Sequence, residues 1–150
     1  MTDLALAFDP IDQSADLCIE DGDLALDRGL GSLALMSLLT DARALPSELD
    51  TPTGDLRGWW GDALEGRPLG GKLWTLARAK ATEENRRRAR DFAAGALNWM
   101  VQDGIAERLE VEATRIDGVG SGATLRIDAA IIRGGRRIDL RYDLLWRAMQ

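Results

Sequence analysis

The residue types on which most enzyme sites depend are scarce in this chain of 150 residues. It has no histidine, which excludes Ser–His and Cys–His pairs as catalytic groups and imidazole as a metal ligand. Its single cysteine, Cys18, excludes an internal disulfide and cannot bind zinc alone. We therefore expect no metal centre and no cofactor, and carboxylates are the remaining candidates for chemistry.

Two carboxylates can catalyse acid–base reactions such as glycoside hydrolysis, in which one of them needs a raised pKa. The acidic residues that could form such a pair lie in an irregular central segment and are Glu48, Asp50, Asp55, Asp62 and Glu65. The chain has 25 acidic residues, so some are neighbours by chance, and surface solvation or loop capping is the simpler explanation. We predict that the protein is not an enzyme and keep a two-carboxylate hydrolase as the alternative.

Two further patterns have both a functional and a structural interpretation. The glycine-rich residues 118–122 could bind a phosphate, but no Lys-Ser or Lys-Thr pair and no helix follows, which favours a hairpin loop. The charged residues 83–90 could form a basic docking patch, although the solvated face of a helix is the simpler interpretation.

Length and composition restrict the class of protein further. The 19 basic and 25 acidic residues give a net charge of −6, which argues against binding to nucleic acid. A hydrophobic share of 45% is sufficient for a core, and no apolar run approaches the roughly 18 residues that a membrane-spanning helix needs. The N-terminal sequence lacks the pattern of a signal peptide. We expect one domain over residues 1–150 and no contact with a membrane.

Alternating apolar residues predict that the chain begins with β-structure. Residues 4–8 alternate and predict a strand that ends at Pro10. Residues 16–27 alternate in the same way around Asp21 and Gly22, and Asp-Gly is the strongest short signal for a hairpin. A two-residue loop there predicts pairs that share one face, which are Ile19 with Leu24 and Leu17 with Leu26.

The middle of the chain predicts three helices and an ordered, irregular connection at residues 44–68. The first helix is predicted at residues 29–43, where apolar side chains lie around nearly the whole circumference, and this favours burial on most sides. Residues 70–80 predict a short second helix. The third helix begins after the N-cap Thr82 and ends at Gly104. Its apolar stripe consists of Ala89, Phe92, Ala93, Ala96, Leu97 and Met100.

The last third of the chain predicts three antiparallel strands at residues 109–116, 124–132 and 137–146. A two-residue loop at Gly134 and Gly135 fixes the register of the last two strands. The resulting apolar pairs are Ile131 with Ile138, Ala129 with Leu140 and Ile127 with Tyr142, and the charged pairs are Asp128 with Arg141 and Arg126 with Asp143. The apolar faces of the first two strands coincide if a five-residue loop joins them. This loop pairs Val111 with Ala129 and Ala113 with Ile127.

That first connection sets Glu112 opposite Asp128, a like-charge pair that Arg141 can partly relieve, and a bulge beside the glycines that slips the register is the alternative. The fold class is α+β, with an N-terminal β-hairpin, three helices in the middle, and a C-terminal three-stranded antiparallel meander packed on the helices.

At least one outer strand of a meander has free backbone groups, and we expect the final strand to be a docking edge. Its outward residues alternate in charge and are Arg137, Asp139, Arg141 and Asp143.

The tryptophan content is unusual, because five tryptophans stand against two phenylalanines and one tyrosine. The adjacent Trp59 and Trp60 could fill a thin core beside the irregular connection, or could anchor an interface, where Trp and Arg are enriched. Neighbouring residues of an extended segment point in opposite directions, so one ring could serve each purpose, and we weigh the two interpretations equally. Trp99 and Trp146 align with apolar positions and are predicted to be core.

A series of motifs begins at Gly29-Leu30 and continues through Asp103-Gly104 to the C-terminal strands, so that it covers nearly the whole chain. Its main members are SLLTDARA at residues 37–44, GD at 54–55, RGWWGD at 57–62, GKLW at 71–74 and ALNW at 96–99. Together they resemble a tail-protein family of Mu-like phages, and the RGWWGD string is specific. That family is similar to the baseplate wedge proteins called sheath initiators, found in contractile tails, some of which carry a lysozyme-like label.

The resemblance implies a structural component of a contractile tail baseplate that binds other wedge proteins and tail sheath and tube proteins. It implies a β-structured docking surface for the first ring of sheath subunits and multiple copies in a sixfold baseplate. It also implies a place in the virion after assembly in the host cytoplasm. The acidic, arginine-containing loop of the broader group corresponds only loosely to Asp41, Arg43 and Arg57. The candidate interface residues are Arg43, Arg57, Trp59, Trp60, Asp62, Arg137, Asp139, Arg141 and Asp143.

Overall fold

Six short strands, a helical middle and three long strands follow one another along the chain, so the predicted α+β class is confirmed. The computed structural model describes residues 3–27, 29–49, 54–117 and 123–146. The predicted loop at residues 118–122, the candidate carboxylate Asp50, and the side chains of Glu65 and Trp146 lie outside this description.

The N-terminal strands form three two-stranded antiparallel ladders. Their members are β1 (Asp3–Leu4) with β6 (Leu26–Asp27), β2 (Leu6–Asp9) with β3 (Ser14–Leu17), and β4 (Ile19–Glu20) with β5 (Asp23–Leu24). The ladders meet where the backbone groups of Ala5, Cys18 and Ala25 bond in a ring, with each N···O distance 2.9 Å. We call residues 3–27 the N-terminal β unit.

The hairpin prediction is correct in its turn and wrong in its extent. The turn at Asp21 and Gly22 is confirmed, and Ile19 lies opposite Leu24. The predicted pairing of Leu17 with Leu26 is wrong. The pairs that form instead are Leu17 with Leu6 and Leu26 with Leu4. A turn after β2 brings β3 back alongside it, so β2 occupies the place that the longer hairpin would need.

The helical middle contains α1 (Gly31–Leu39), α2 (Asp62–Glu65), α3 (Glu83–Leu97) and α4 (Trp99–Gln102), with 3-10 turns at Pro46–Glu48 and Leu73–Leu76. α3 begins at the predicted N-cap, because Thr82 Oγ1 accepts a hydrogen bond from the Asn85 N–H at 3.2 Å. α1 ends earlier than predicted, since Thr40 is extended and Asp41 forms a β-bridge with Gly71. The second predicted helix is the shorter 3-10 turn at Leu73–Leu76.

The C-terminal strands β7 (Arg108–Asp117), β8 (Ala123–Arg133) and β9 (Arg136–Trp146) form an antiparallel meander in that order. The turn between β8 and β9 has φ angles of 56° at Gly134 and 70° at Gly135, and a type I′ hairpin turn requires positive φ at both positions. The predicted register is confirmed, and its pairs include Ile131 with Ile138, Ile127 with Tyr142, Asp128 with Arg141, Arg126 with Asp143, and Ala113 with Ile127.

The core lies between the sheet and the helices, with α3 packed mainly against β7. Ile127 and Ile131 of β8 are fully buried, and so are most residues of the predicted stripe on α3 and α4. Trp99 packs against this core, and its Nε1 donates a hydrogen bond to the buried Ser37 Oγ at 3.1 Å.

Asp27 joins the N-terminal β unit to α1. Its carboxylate accepts hydrogen bonds from the N–H groups of Gly29 and Ser32, each at 2.7 Å. Burial acts to raise the pKa of Asp27, but these hydrogen bonds outweigh burial and hold the pKa below its usual value. The Leu6 N–H donates to Ser32 Oγ at 2.9 Å, so both ends of the unit contact the start of the same helix.

Tyr142 joins the N-terminal β unit to the sheet. Its ring meets the Phe8 ring edge to face with the centroids 6.0 Å apart, and its hydroxyl donates to the Gly31 carbonyl at 3.4 Å. Burial raises the pKa of Tyr142 to about 12, and the Asp27 carboxylate acts in the same direction. Folding therefore stabilises the neutral phenol.

Replacing Trp99 with alanine is expected to lower the free energy of unfolding by about 3 kcal/mol, because it removes a packed ring and the donor to Ser37. Trp99→Phe keeps most of the packing and should cost clearly less. Chemical denaturation measures both variants. Equal losses for the two substitutions would contradict the packing role of the ring.

Tyr142 predicts a loss of stability in alkali. Its folded pKa of about 12 exceeds the ordinary value of 10.0, so its stabilising contribution is complete below pH 10 and is lost as the pH rises toward 12. The free energy of unfolding of Tyr142→Phe should fall less steeply over that window than that of the natural chain. Because the chain has one tyrosine, tyrosinate absorbance reports this group alone. An ordinary tyrosine titration in the folded protein would refute the prediction.

Candidate functional site

An ion pair beside the end of α1 organises the first candidate surface. Arg57 Nη1 lies 2.6 Å from Asp41 Oδ2, and the Arg57 guanidinium lies over the Trp74 ring, 4.5 Å from its centroid. Trp74 Nε1 donates to the Ala42 carbonyl at 2.9 Å, which fixes the ring. Arg57 has a φ of 50°, a left-handed conformation that costs a non-glycine residue about 1–2 kcal/mol. We call Asp41, Arg57 and Trp74 the arginine cluster.

An apolar cleft of about 330 Å³ lies beside the arginine cluster. Asp41 and Arg57 line it on one side, and apolar side chains such as Leu39, Leu125 and Leu144 line it on the other. A concave apolar surface with a charged pair at its margin can accept an apolar side chain and orient the polar groups next to it.

Trp59 and Trp60 come shortly after Arg57 in the chain, and their rings lie in different environments. Trp60 is 77% exposed, whereas Trp59 is partly buried. The Trp59 ring lies directly over Gly61, where any Cβ atom would collide with it. The two rings are in contact, with centroids 5.4 Å apart. Trp59 thus packs on its own loop, and Trp60 is the ring that is open to a partner.

Two other predicted interface residues lie close to this surface. Asp62 Oδ1 accepts a hydrogen bond from the Leu69 N–H at 2.8 Å, which closes the loop around α2. Arg43 is exposed, and its Nη1 donates to the Arg57 carbonyl at 3.4 Å. Asp62 therefore holds the local backbone, while Arg43 remains accessible beside the arginine cluster.

The second candidate surface is the outer face of the sheet along β9, whose four predicted residues all form ion pairs. The pairs are Arg137 with Glu110 and with Asp139 at 2.7 Å, Arg141 with Asp128 at 2.6 Å, and Arg126 with Asp143 at 2.7 Å. The hydrogen bond from Arg126 lowers the pKa of Asp143. Arg141 also confirms the predicted relief of the Glu112–Asp128 repulsion. Partly exposed pairs of this kind stabilise weakly, but they fix the pattern of charge.

The backbone of β9 points outward at the same four residues. The Asp143 carbonyl accepts a hydrogen bond from Gln13 Nε2 at 3.2 Å, which places that carbonyl outside the sheet. The N–H and C=O of one residue point to the same side of a strand, and alternate residues share that direction. The N–H groups of Arg137, Asp139 and Arg141 therefore face outward too. In the described part of the chain, no hydrogen bond is made to these three outward groups.

The opposite edge of the sheet is contacted in part by the helical layer. Arg86 of α3 donates from Nη1 to the outward carbonyl of Ala113 on β7 at 2.6 Å, while its other nitrogens bind Glu83. The hydrogen bond to Arg86 holds the pKa of Glu83 at about 2. Arg115 of β7 reaches back to the Ala81 carbonyl at 2.6 Å. Helix α3 thus engages one outward carbonyl of β7, which makes this edge less suited to strand pairing than the turn-proximal part of β9.

The carboxylates that a hydrolase would use make structural contacts. Glu48 accepts hydrogen bonds from the Leu45 N–H at 2.7 Å and from Lys72 Nζ at 2.8 Å. Burial acts to raise the pKa of Glu48, but these contacts outweigh burial and lower the pKa. Asp55 accepts the Arg57 N–H at 2.9 Å. A catalytic acid needs a raised pKa, so Glu48 is unsuited to that role.

Within residues 3–27, 29–49, 54–117 and 123–146, no group of three or more His, Cys, Asp or Glu side chains could hold a metal ion. No helix in those ranges is both long and apolar enough to cross a membrane.

Sequence reasoning missed two residues that shape these surfaces. Trp74 was recognised in a motif, but its contact with Arg57 joins segments that are distant along the chain. Arg86 was assigned to the solvated face of a helix, although it also contacts the β7 edge. The spacing of Glu83 and Arg86 indicates a helical ion pair, but no local signal reveals the contact with β7.

Comparisons with known proteins identify relatives of this chain. A family model described as "Phage protein GP46" matches residues 30–137. The chain is 38% identical over 117 residues to "Baseplate protein gp46" of Escherichia phage Mu, covering 77% of this chain and 79% of that protein. It is 39% identical over 115 residues to "Mu-like prophage FluMu protein gp46" of Haemophilus influenzae, covering 76% of this chain and 77% of that protein.

The two adjacent tryptophans should differ in their effect on folding. Trp60→Ala is expected to change the free energy of unfolding by less than about 0.5 kcal/mol, because Trp60 is 77% exposed. Trp59→Ala should destabilise by roughly 1–2 kcal/mol, since its partly buried ring packs over Gly61. Thermal and chemical unfolding measure both variants. Equal destabilisation by the two substitutions would show that Trp60 is also part of the packed loop.

Proposed function

The chain belongs to the phage protein GP46 family of Mu-like baseplate proteins, and we propose that it is a sheath-initiator-like wedge protein of a contractile tail. In this role it binds neighbouring wedge proteins and helps to nucleate the tail sheath. Its partners are the other baseplate wedge proteins and the sheath and tube proteins. Several copies lie in a sixfold baseplate of the virion, after assembly in the host cytoplasm.

The open edge of β9 is the observation that carries this proposal. A strand edge with outward N–H and C=O groups can pair with an extended segment of another protein. At the opposite edge Arg86 engages the Ala113 carbonyl and α3 lies alongside, so β9 is the edge that we expect to pair. A component that starts a regular polymer needs such a directional attachment point.

The charges along β9 suit a heterologous partner. Positive and negative side chains alternate from Arg137 to Asp143, so a partner strand with the complementary order would match them. Self-pairing of two copies opposes like charges when it is centred on Asp139 or Arg141, but it sets Arg137 opposite Asp143 and Asp139 opposite Arg141 when it is centred on Leu140. Charge therefore restricts the register of a partner strand, and the main chain supplies the affinity.

The arginine cluster and Trp60 support a second contact with a neighbouring wedge protein. Trp60 is exposed, and Arg57 is half-exposed beside an apolar cleft. Exposed Trp and Arg side chains next to a cleft are typical of residues that dominate binding energy at protein interfaces. The cleft reaches Leu144 toward the end of β9, whereas the open outward backbone groups are those of Arg137, Asp139 and Arg141 toward the turn, so the two contacts would use different parts of the surface.

Proline substitutions test the strand-pairing role. Asp139→Pro removes an outward N–H that the sheet does not use, so we expect the chain to fold and to lose binding to the neighbouring tail protein by at least about tenfold. Leu140→Pro removes an N–H that faces β8 and should unfold the chain. Circular dichroism measures folding, and co-purification with each separately expressed neighbouring tail protein measures binding.

Asp139→Ala is the matched control, because it removes the same side chain and keeps the N–H. We expect it to fold and to bind nearly as well as the natural chain, since the main chain dominates strand addition. If the folded Asp139→Pro variant binds every neighbour as well as Asp139→Ala does, β9 is not the docking edge.

A further inference from the structure

The N-terminal β unit has an apolar face that the rest of the chain covers only in part. Side chains alternate along a strand, and directly opposite residues of an antiparallel pair share a face. The three ladders therefore place six large apolar side chains on one face around the central junction. These are Leu4, Leu6, Leu17, Ile19, Leu24 and Leu26.

Only one margin of this apolar face is used by the fold. Leu6 packs against the core next to α1. The other five are exposed, with fractions of 39% for Leu4, 44% for Leu17, 73% for Ile19, 43% for Leu24 and 55% for Leu26. Single exposed leucines are common, but contiguous apolar patches on soluble proteins usually mark an interaction surface.

The acidic charge of the same unit is not balanced by ion pairs among the described residues. Residues 3–27 contain eight acidic residues and no lysine or arginine. None of the ion pairs among the described residues involves this unit, although ion pairs are frequent elsewhere in the chain. Glu20 lies opposite Asp23 on the face away from the apolar side chains, and such a like-charge pair destabilises a ladder, whereas Asp27, opposite Asp3, is held by hydrogen bonds at the start of α1.

We propose that this face docks an apolar segment flanked by lysine or arginine that belongs to another baseplate protein. Burial of the exposed leucine and isoleucine side chains would supply affinity, and the net negative charge of the unit, which includes Asp21 in the turn at its outer end, favours cations on either side of that segment. This inference deepens the proposed function, on which it rests for the existence of a partner, and it assigns a surface separate from β9.

The charges favour a different protein over a second copy of this chain. Two acidic units would repel each other if they met face to face. The arginines elsewhere in the chain are largely engaged in ion pairs of their own, such as Arg126 with Asp143 and Arg137 with Glu110. A partner that presents uncompensated cations has the complementary charge.

The test uses the full chain and each purified neighbouring tail protein, with affinities measured by calorimetry. One double variant, Ile19→Ser with Leu24→Ser, removes apolar surface at the outer hairpin. A second, Glu20→Gln with Asp23→Asn, removes a like-charge pair and preserves shape. Leu64→Ser, which changes a leucine that is 77% exposed in α2, is the control.

We expect the apolar double variant to fold and to lose affinity for one neighbour by about tenfold or more, while Leu64→Ser binds normally. The neutral double variant should melt at a higher temperature when free, yet bind several-fold more weakly and with less dependence on salt. A purely structural role would not move stability and binding in opposite directions. Carbodiimide cross-linking should join Glu20, Asp21 or Asp23 to lysines of that neighbour.

Three results would overturn the inference. Normal binding by both double variants would overturn the inference about this face. If Asp139→Pro abolishes binding in the same assay, the proposed function remains intact. Cross-links from the acidic unit to Lys72 or Lys80 of a second copy, detected by mixed isotopic labelling, would identify self-association instead. Failure of the natural chain to bind any neighbouring tail protein would refute both this inference and the proposed function.

Discussion

The pairing register of β8 with β9 is the constraint on which most of this structure depends. The turn at Gly134 and Gly135 fixes it, because both residues adopt the positive φ that a two-residue hairpin turn requires. A shift by one residue would turn the apolar row toward solvent and the charged row toward the helices. The same register sets which backbone groups of β9 point outward, so the turn determines both the core and the edge that we propose for docking.

The rest of the chain contacts the two edges of the sheet differently, and this difference supports the proposed docking of a partner strand at β9. At β7, Arg86 binds an outward carbonyl and helix α3 lies alongside. At β9, the described residues engage the outward carbonyl of Asp143 and leave its neighbours toward the turn open. The ion pairs beside that edge contribute little stability, since they are partly exposed, but they set the charge order that a partner strand must match.

Local signals predicted those elements that turn chemistry and periodicity determine. The two hairpin turns, the N-cap Thr82 and the register of the C-terminal sheet are of this kind. The three-ladder arrangement of the N-terminal β unit was not predictable, because alternation shows which side chains share a face and not which strand lies opposite. For the same reason, the sequence named Arg57 and Trp60 as interface candidates but did not reveal the contact of Arg57 with Trp74.

Residue-resolved hydrogen exchange in the free chain and in assembled tails tests the central claim most directly. In the free chain, outward amides should exchange quickly and inward amides slowly along β9. The outward set is Arg137, Asp139 and Arg141, and the inward set is Ile138, Leu140 and Tyr142. In assembled tails, strand addition predicts that the outward set becomes as protected as the inward set. Outward amides that exchange equally fast in both states would contradict the account.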